Sequence, residues 1–157
     1  MRRVIAVIEV IGGLLGAVAC AVSGKDTLEA GQGAVLAWVA LVSLGSLVAG
    51  RMLWARKGAG VWLSCAVQAV QLPALDFPPF AYYLGLGLSL ALGIQHMRPN
   101  PDGLTWGMIG RVRYGVDSWI GLGTTPNSLE DLYVGVNLVA LVLLVGLAAR
   151  GAPIRAD

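Results

Sequence analysis

The chain has 157 residues, of which 57% are apolar and only 13% charged, with a formal net charge of +2. This balance excludes a disordered chain and lies outside the usual range of a water-soluble domain, so it points to a membrane protein. A charge this small, with no broad basic patch, gives no reason to expect a nucleic-acid partner.

The first apolar run covers residues 4–22, close to the ~20 residues that a bilayer core requires. Its "MRR" start and its "AVAC" end also fit a signal peptide, but Glu9 within the run and its near-full span length favour an uncleaved helix. A second run covers residues 34–53 and leaves a loop at 23–33. Both runs carry small residues four apart: Gly12 with Gly16, Gly45 with Ala49, and Ser46 with Gly50. That spacing predicts close helix packing. The third run, residues 59–75, is slightly short and uncharged; Pro73 and the "FPPF" at 77–80 stop it.

Next comes "YYLGLGLSLALGIQ", residues 82–95, which is apolar enough to be a further span. Its period is two, however. Leu84, Leu86, Leu88, Leu90, Leu92 and Ile94 alternate with Gly85, Gly87, Ser89, Ala91 and Gly93, which is a strand signal. Residues 104–122 alternate as well, and "RPNPDG" between the two runs is a strong turn signal. The prediction is a β-hairpin outside the membrane within residues 80–123. With the turn centred near Asn100, Ile94 faces Trp106, Leu92 faces Met108, Leu88 faces Val112 and Leu86 faces Tyr114. Gly87 then faces Arg113, and Ser89 faces Arg111. The large side chains share one face, which needs cover from further strands, the membrane surface or another subunit.

The last run is read as a helix over residues 129–149, with Ser128 as N-cap and Glu130 and Asp131 in the first turn. On this four-span topology Arg2, Arg3, Arg51, Arg56, Lys57, Arg150 and Arg155 gather on one side, which is the positive-inside pattern. Both termini are then cytoplasmic, and the expected location is a bacterial inner membrane. Cys20 and Cys65 fall on different spans at different depths, so two free thiols are expected. The expected fold is a single membrane domain over 1–157: a four-helix transmembrane bundle with an extracytoplasmic antiparallel β-hairpin or small sheet between the third and fourth helices.

Away from the span ends, where Arg51, Glu130 and Asp131 fall, Glu9 is the one charged residue within a span. It is either a protonatable or ion-pairing group or a hydrogen-bonded structural carboxylate, with Ser46 and Ser64 at similar depth. Gln68, Gln71 and Asn137 are the other strongly polar groups in the spans; they either line a polar cavity or bond between helices. Arg111 and Arg113, with Trp106 and Tyr114, are candidates for binding an anionic ligand, a lipid headgroup or an acidic partner, against the plainer reading of a solvated sheet face. His96 is the single histidine, so no metal site is expected. No nucleophile–base pair, phosphate loop or paired carboxylates are visible, so neither a cofactor nor an enzymatic activity is expected. The expected function is a non-enzymatic polytopic membrane protein whose β element mediates assembly, partner binding or sensing. Its partners would be the bilayer and a second copy or another protein. The alternative is an oligomeric pore or transporter subunit with its polar intramembrane residues along a path.

Overall fold

A computed structural model describes residues 2–77, 80–100, 103–122 and 133–151. Its elements run α1 (Arg2–Glu29), α2 (Gly33–Trp54), α3 (Gly58–Gln71), β1 (Pro73–Phe77), β2 (Phe80–Asn100), β3 (Gly103–Leu122), β4 (Tyr133–Asn137) and α4 (Leu138–Gly151).

Two of these helices, α1 and α2, are long and apolar enough to cross a membrane. The other two have 14 residues each. At ~1.5 Å per residue they reach about 21 Å, short of the ~30 Å hydrocarbon core. The described residues therefore hold two helices of spanning length where the sequence reading expects four.

Helix α1 runs seven residues beyond the expected end at 22. Thr27 Oγ1 donates to the Ser23 carbonyl at 2.8 Å, and Lys25 lies 3.8 Å from Glu29 one turn on. The helix closes with Gly31 at φ +74°, the Gln32 amide bonding to the Thr27 carbonyl at 2.9 Å and that of Gly31 to Leu28 at 3.0 Å. This is a Schellman ending, in which glycine takes the left-handed position without strain. Only residues 30–32 separate α1 from α2, in place of the expected loop at 23–33. The end of α2 repeats the motif with Arg56 at φ 56°. There the Lys57 amide bonds to Met52 at 2.9 Å and the Arg56 amide to Leu53 at 3.1 Å.

The small residues are consumed by close approach within the chain. A Cβ on Gly13 would lie 2.7 Å from the Ser43 carbonyl oxygen, and one on Gly50 would lie 2.8 Å from that of Ala6. These contacts set α1 against α2. At the basic end, the Arg3 guanidinium sits over the Trp54 ring at 5.8 Å and ties the start of α1 to the end of α2. Ile5, Ala6 and Leu53 pack there with Leu143 and Leu147 of α4.

The sheet is antiparallel, in the order β1-β4-β2-β3, with an additional β1–β2 pairing. The two-residue period of the ambiguous stretch is thus a strand, as read. Its pairing partner is also as read, but the register differs. Ile94 pairs with Met108, Leu92 with Gly110, Leu90 with Val112 and Leu88 with Tyr114, a slip of two residues from the expected alignment. Parity survives, because a slip of two keeps every residue on its face. The slip arises at the hairpin end, where the closing pair is Asn100–Gly103 and the ladder shifts between Met97 and Asn100.

Two further strands flank this hairpin. Proline ends α3 and β1 follows at once, as the Pro73 signal requires, but the expected helix over 59–75 gives up its last residues to that strand. The expected helix over 129–149 is corrected more strongly. Residues 133–137 form β4, buried at Tyr133, Gly135 and Asn137 and exposed at Val134 and Val136. Helix α4 begins only at Leu138, and the expected cap Ser128 lies outside the described residues.

Pairing forces a bend. β1 is antiparallel to β4, β4 to residues 91–95 of β2, and β1 to residues 80–83 of β2. Three antiparallel pairings around a three-membered ring cannot all be met by straight strands. β2 must turn back between Tyr83 and Ala91, and Gly87 sits in that interval at φ +88°. Gly115 lies directly opposite it on β3. The interior of the ring is packed by Ala74, Ala91 and Tyr133, with Tyr83 beside them.

The bend packs against the helices rather than over their ends. Leu84 and Leu86 join Val39, Val42 and Val67 in one buried cluster. A Cβ on Gly12 would lie 3.0 Å from the Leu86 carbonyl oxygen, and one on Gly16 would lie 3.1 Å from Leu86 Cδ2. The helices thus cover part of the large-residue face. Leu92, Ile94, Met108, Val112, Val134 and Val136 remain exposed on the rest.

Candidate functional site

Ser64, Gln68 and Gln71 recur on α3 at spacings of four and three, so they lie along one face of that helix. That face meets Glu9 on α1 and Ser46 on α2. Glu9 is 2% exposed. Its Oε1 accepts hydrogen bonds from Ser64 Oγ and from Gln68 Nε2 at 3.0 Å, and its Oε2 accepts from Ser46 Oγ at 3.1 Å. Ser46 Oγ also lies 2.8 Å from the Glu9 carbonyl oxygen, so one hydroxyl proton serves two acceptors. All three side chains bonded to the carboxyl are neutral. Cys20 and Cys65 are both free thiols.

Gln71 and Asn137 extend the cluster to the sheet. Between the segments paired with β1 and with β4, one edge of β2 has no strand beside it among the described residues. The Leu86 amide there donates to Gln71 Oε1 at 3.0 Å, and the Leu90 amide donates to Asn137 Oδ1 at 3.4 Å. Two side chains therefore supply acceptors that a neighbouring strand would otherwise provide. Asn137 has a second task. Its Oδ1 also accepts from the Val139 and Ala140 amides at 3.1 and 3.4 Å, which makes it the N-cap of α4. Its own amide donates to the Leu72 carbonyl at 2.9 Å, just past the end of α3.

All six polar candidates that the sequence places in the apolar runs, Glu9, Ser46, Ser64, Gln68, Gln71 and Asn137, are thus brought to one place. Glu9, Ser46, Gln68, Gln71 and Asn137 border a cavity of about 10 Å³, roughly the room that one water needs. Such a cluster can hold one proton or one water among fixed donors and acceptors. Among the described residues, no group of three or more histidine, cysteine or carboxylate side chains could hold a metal ion.

The candidates on the hairpin are placed by register alone. Arg111 is opposite Ala91, Arg113 opposite Ser89, Trp106 opposite His96 and Tyr114 opposite Leu88. Trp106 and Tyr114 stand eight positions apart on β3, and the side chains of both lie outside the described residues.

Two features escape a reading of the sequence. Tyr83 and Ser89 share a hydrogen bond of 2.6 Å across the bend. Tyr133 fills the ring so closely that a Cβ on Gly93 would lie 2.6 Å from its Cζ. The glycines of "LGI" and "VGV" are the available signal, since glycine in a strand marks close approach by another group. Comparison with protein-family models, curated proteins and solved structures finds no match to this chain.

Proposed function

We propose that the chain is a non-enzymatic integral membrane protein, of bacterial inner-membrane type, that assembles with further copies of itself through its β element. The observation that carries this reading is the edge of β3. Among the described residues this 20-residue strand pairs with β2 alone. A long open edge is a template for another strand, and natural proteins blunt such edges or use them.

The helices supply the anchor. Only 33% of the most apolar window of α1 and of α2 is buried. Exposed positions include Val4, Ile11 and Val18 on α1 and Leu41, Leu44 and Val48 on α2. A soluble core helix would bury most of such a surface, whereas lipid favours it. The basic residues beside the Arg3–Trp54 contact give that end, and with it the N-terminus, to the cytoplasm.

The test is crosslinking in native membranes. Single cysteines at Met108 and at Val112, in a Cys20→Ser, Cys65→Ser background, are treated with a short bis-maleimide. A dimer-sized product of this chain is expected, and it should vanish when proline replaces Gly110, whose amide the alternation of the ladder turns to the open edge of β3. A monomer at both positions would end the assembly reading.

A second reading, an oligomeric pore or transporter subunit, draws on one observation. The Glu9 cluster lies where α3 ends and α4 begins, and polar groups at the ends of partial helices are common in transport sites. Ion flux into liposomes, wild type against Glu9→Gln, tests it. Equal near-zero flux in both would exclude it.

A further inference from the structure

We infer that the bent sheet is itself inserted in the bilayer and that its exposed apolar face meets lipid acyl chains. This rests on the membrane reading above and goes beyond it, because the sheet would otherwise stand in water outside the helices.

Depth along the helices carries the inference. Leu86, at the bend of β2, packs on Gly12 and Gly16 of α1. Gly13, between them, is the midpoint of the first apolar run and packs on Ser43, near the midpoint of the second. The bend therefore lies about halfway along both candidate spans. From there one limb of β2 leads to Tyr82, which, like Cys20, Val35 and Trp38, packs against the Val39–Leu84 cluster and donates to the Val70 carbonyl at 2.7 Å near the end of α3, toward the far end of the α1–α2 pair. The other limb pairs with β4, and β4 runs into α4, which descends to the basic end beside Ile5 and Leu53. Both limbs thus rise from mid-depth away from the basic end.

The exposed face lies on these limbs. Ile94 pairs with Met108 on one side and Val134 on the other, and Leu92 pairs with Val136. The patch is therefore continuous across β3, β2 and β4. Met108 is 74% and Val112 70% exposed. Val134 stands four residues above the start of α4 at Leu138, about 13 Å at ~3.3 Å per residue, which is inside the ~15 Å half-thickness of a hydrocarbon core. The same depth on α1 and α2 carries exposed aliphatic residues, so the sheet face continues an apolar belt.

Backbone accounting sets one condition. Hydrocarbon does not tolerate unpaired strand edges, so the open edge of β3 must pair with a strand of a second copy, as the assembly reading above requires. On β2 the Leu86 and Leu90 amides, between the segments paired with β1 and β4, are satisfied within the protein by Gln71 and Asn137.

Site-directed spin labelling tests the inference. Nitroxides are placed singly at Ile94, Met108, Val112 and Val134, with Val18 and Leu41 on the helices as controls, in the full chain reconstituted into phosphatidylcholine–phosphatidylglycerol vesicles. All six positions are exposed, so the labels leave the packed interior untouched. Collision rates with oxygen and with a neutral nickel chelate are compared. The expected result is a several-fold preference for oxygen at the sheet positions, matching the controls. Nickel access at the sheet with oxygen preference at the controls would overturn the inference and leave the membrane reading standing. Sheet positions closed to both reagents would overturn it in favour of cover by a second copy. Nickel access at the controls as well would remove the membrane reading itself.

Discussion

Gln71, in the last turn of α3, accepts a hydrogen bond from the Leu86 amide at 3.0 Å and so closes the strand edge at the bend of β2. Gln71→Leu would leave that buried amide without an acceptor, at a cost of about 1–3 kcal/mol. Gln71→Glu keeps an acceptor oxygen at the same reach. Amide hydrogen exchange at Leu86, measured in detergent or nanodiscs, should rise sharply in the leucine variant alone. Unchanged exchange would show that the side chain does not close the edge.

The Glu9 carboxyl gathers three buried donors, of which Ser46 has a second acceptor in the Glu9 carbonyl oxygen. Glu9→Leu should therefore destabilise the chain by on the order of 3 kcal/mol, since Ser64 and Gln68 would stay buried without the acceptor they share. Glu9→Gln retains one accepting oxygen and should cost about 1 kcal/mol. Thermal unfolding of both variants in one detergent gives the comparison. Equal losses would mean that packing, and not the hydrogen bonds, sets the contribution of this position.

Gly87 has room for a methyl group, as a Cβ there would lie 3.6 Å from the Gly12 Cα. Its backbone has no such freedom, because φ is +88°. Gly87→Ala should cost about 1–2 kcal/mol through conformation alone, and Gly87→Asn less. Denaturation midpoints check the order of the three. A neutral alanine would argue that the bend forms elsewhere in β2.

The two helix endings offer a paired test. Arg56 occupies the left-handed position that Gly31 fills in the earlier turn. Arg56→Gly should stabilise by about 1 kcal/mol, and Gly31→Arg should destabilise by a similar amount. Nothing lies within 4 Å of a Cβ on Gly31, so crowding does not confuse the result. The melting temperatures of the two variants should move in opposite directions.

The alternation from Leu84 to Ile94 is long enough to outweigh its apolar content, so β2 is legible in the sequence. The "YVGVN" of β4 is not. It has only five residues and runs directly into the aliphatic α4, so hydropathy merges the two into one span. What makes it a strand is pairing with β1 and β2, which no local signal carries. The polar cluster was visible as residues, because Glu9, Gln68 and Asn137 interrupt apolar runs. Its connection to the sheet was not, since it depends on where β2 turns. The register, too, hinged on one ladder shift near Met97, which composition does not encode.

The ring of β1, β2 and β4 also orders events in time. β4 lies about 60 residues after β1 in the chain. The α1–α2 pair and the β2–β3 hairpin contain only near neighbours in sequence and can form as soon as they are made. The bend gains its Asn137 hydrogen bond, and the ring its closing strand, only after all of β3 has been synthesised. Long-range closure of this kind is slow relative to local pairing. Until then the two limbs of β2 are free to lie straight, so the compact sheet is a late product whose assembly waits on a five-residue strand.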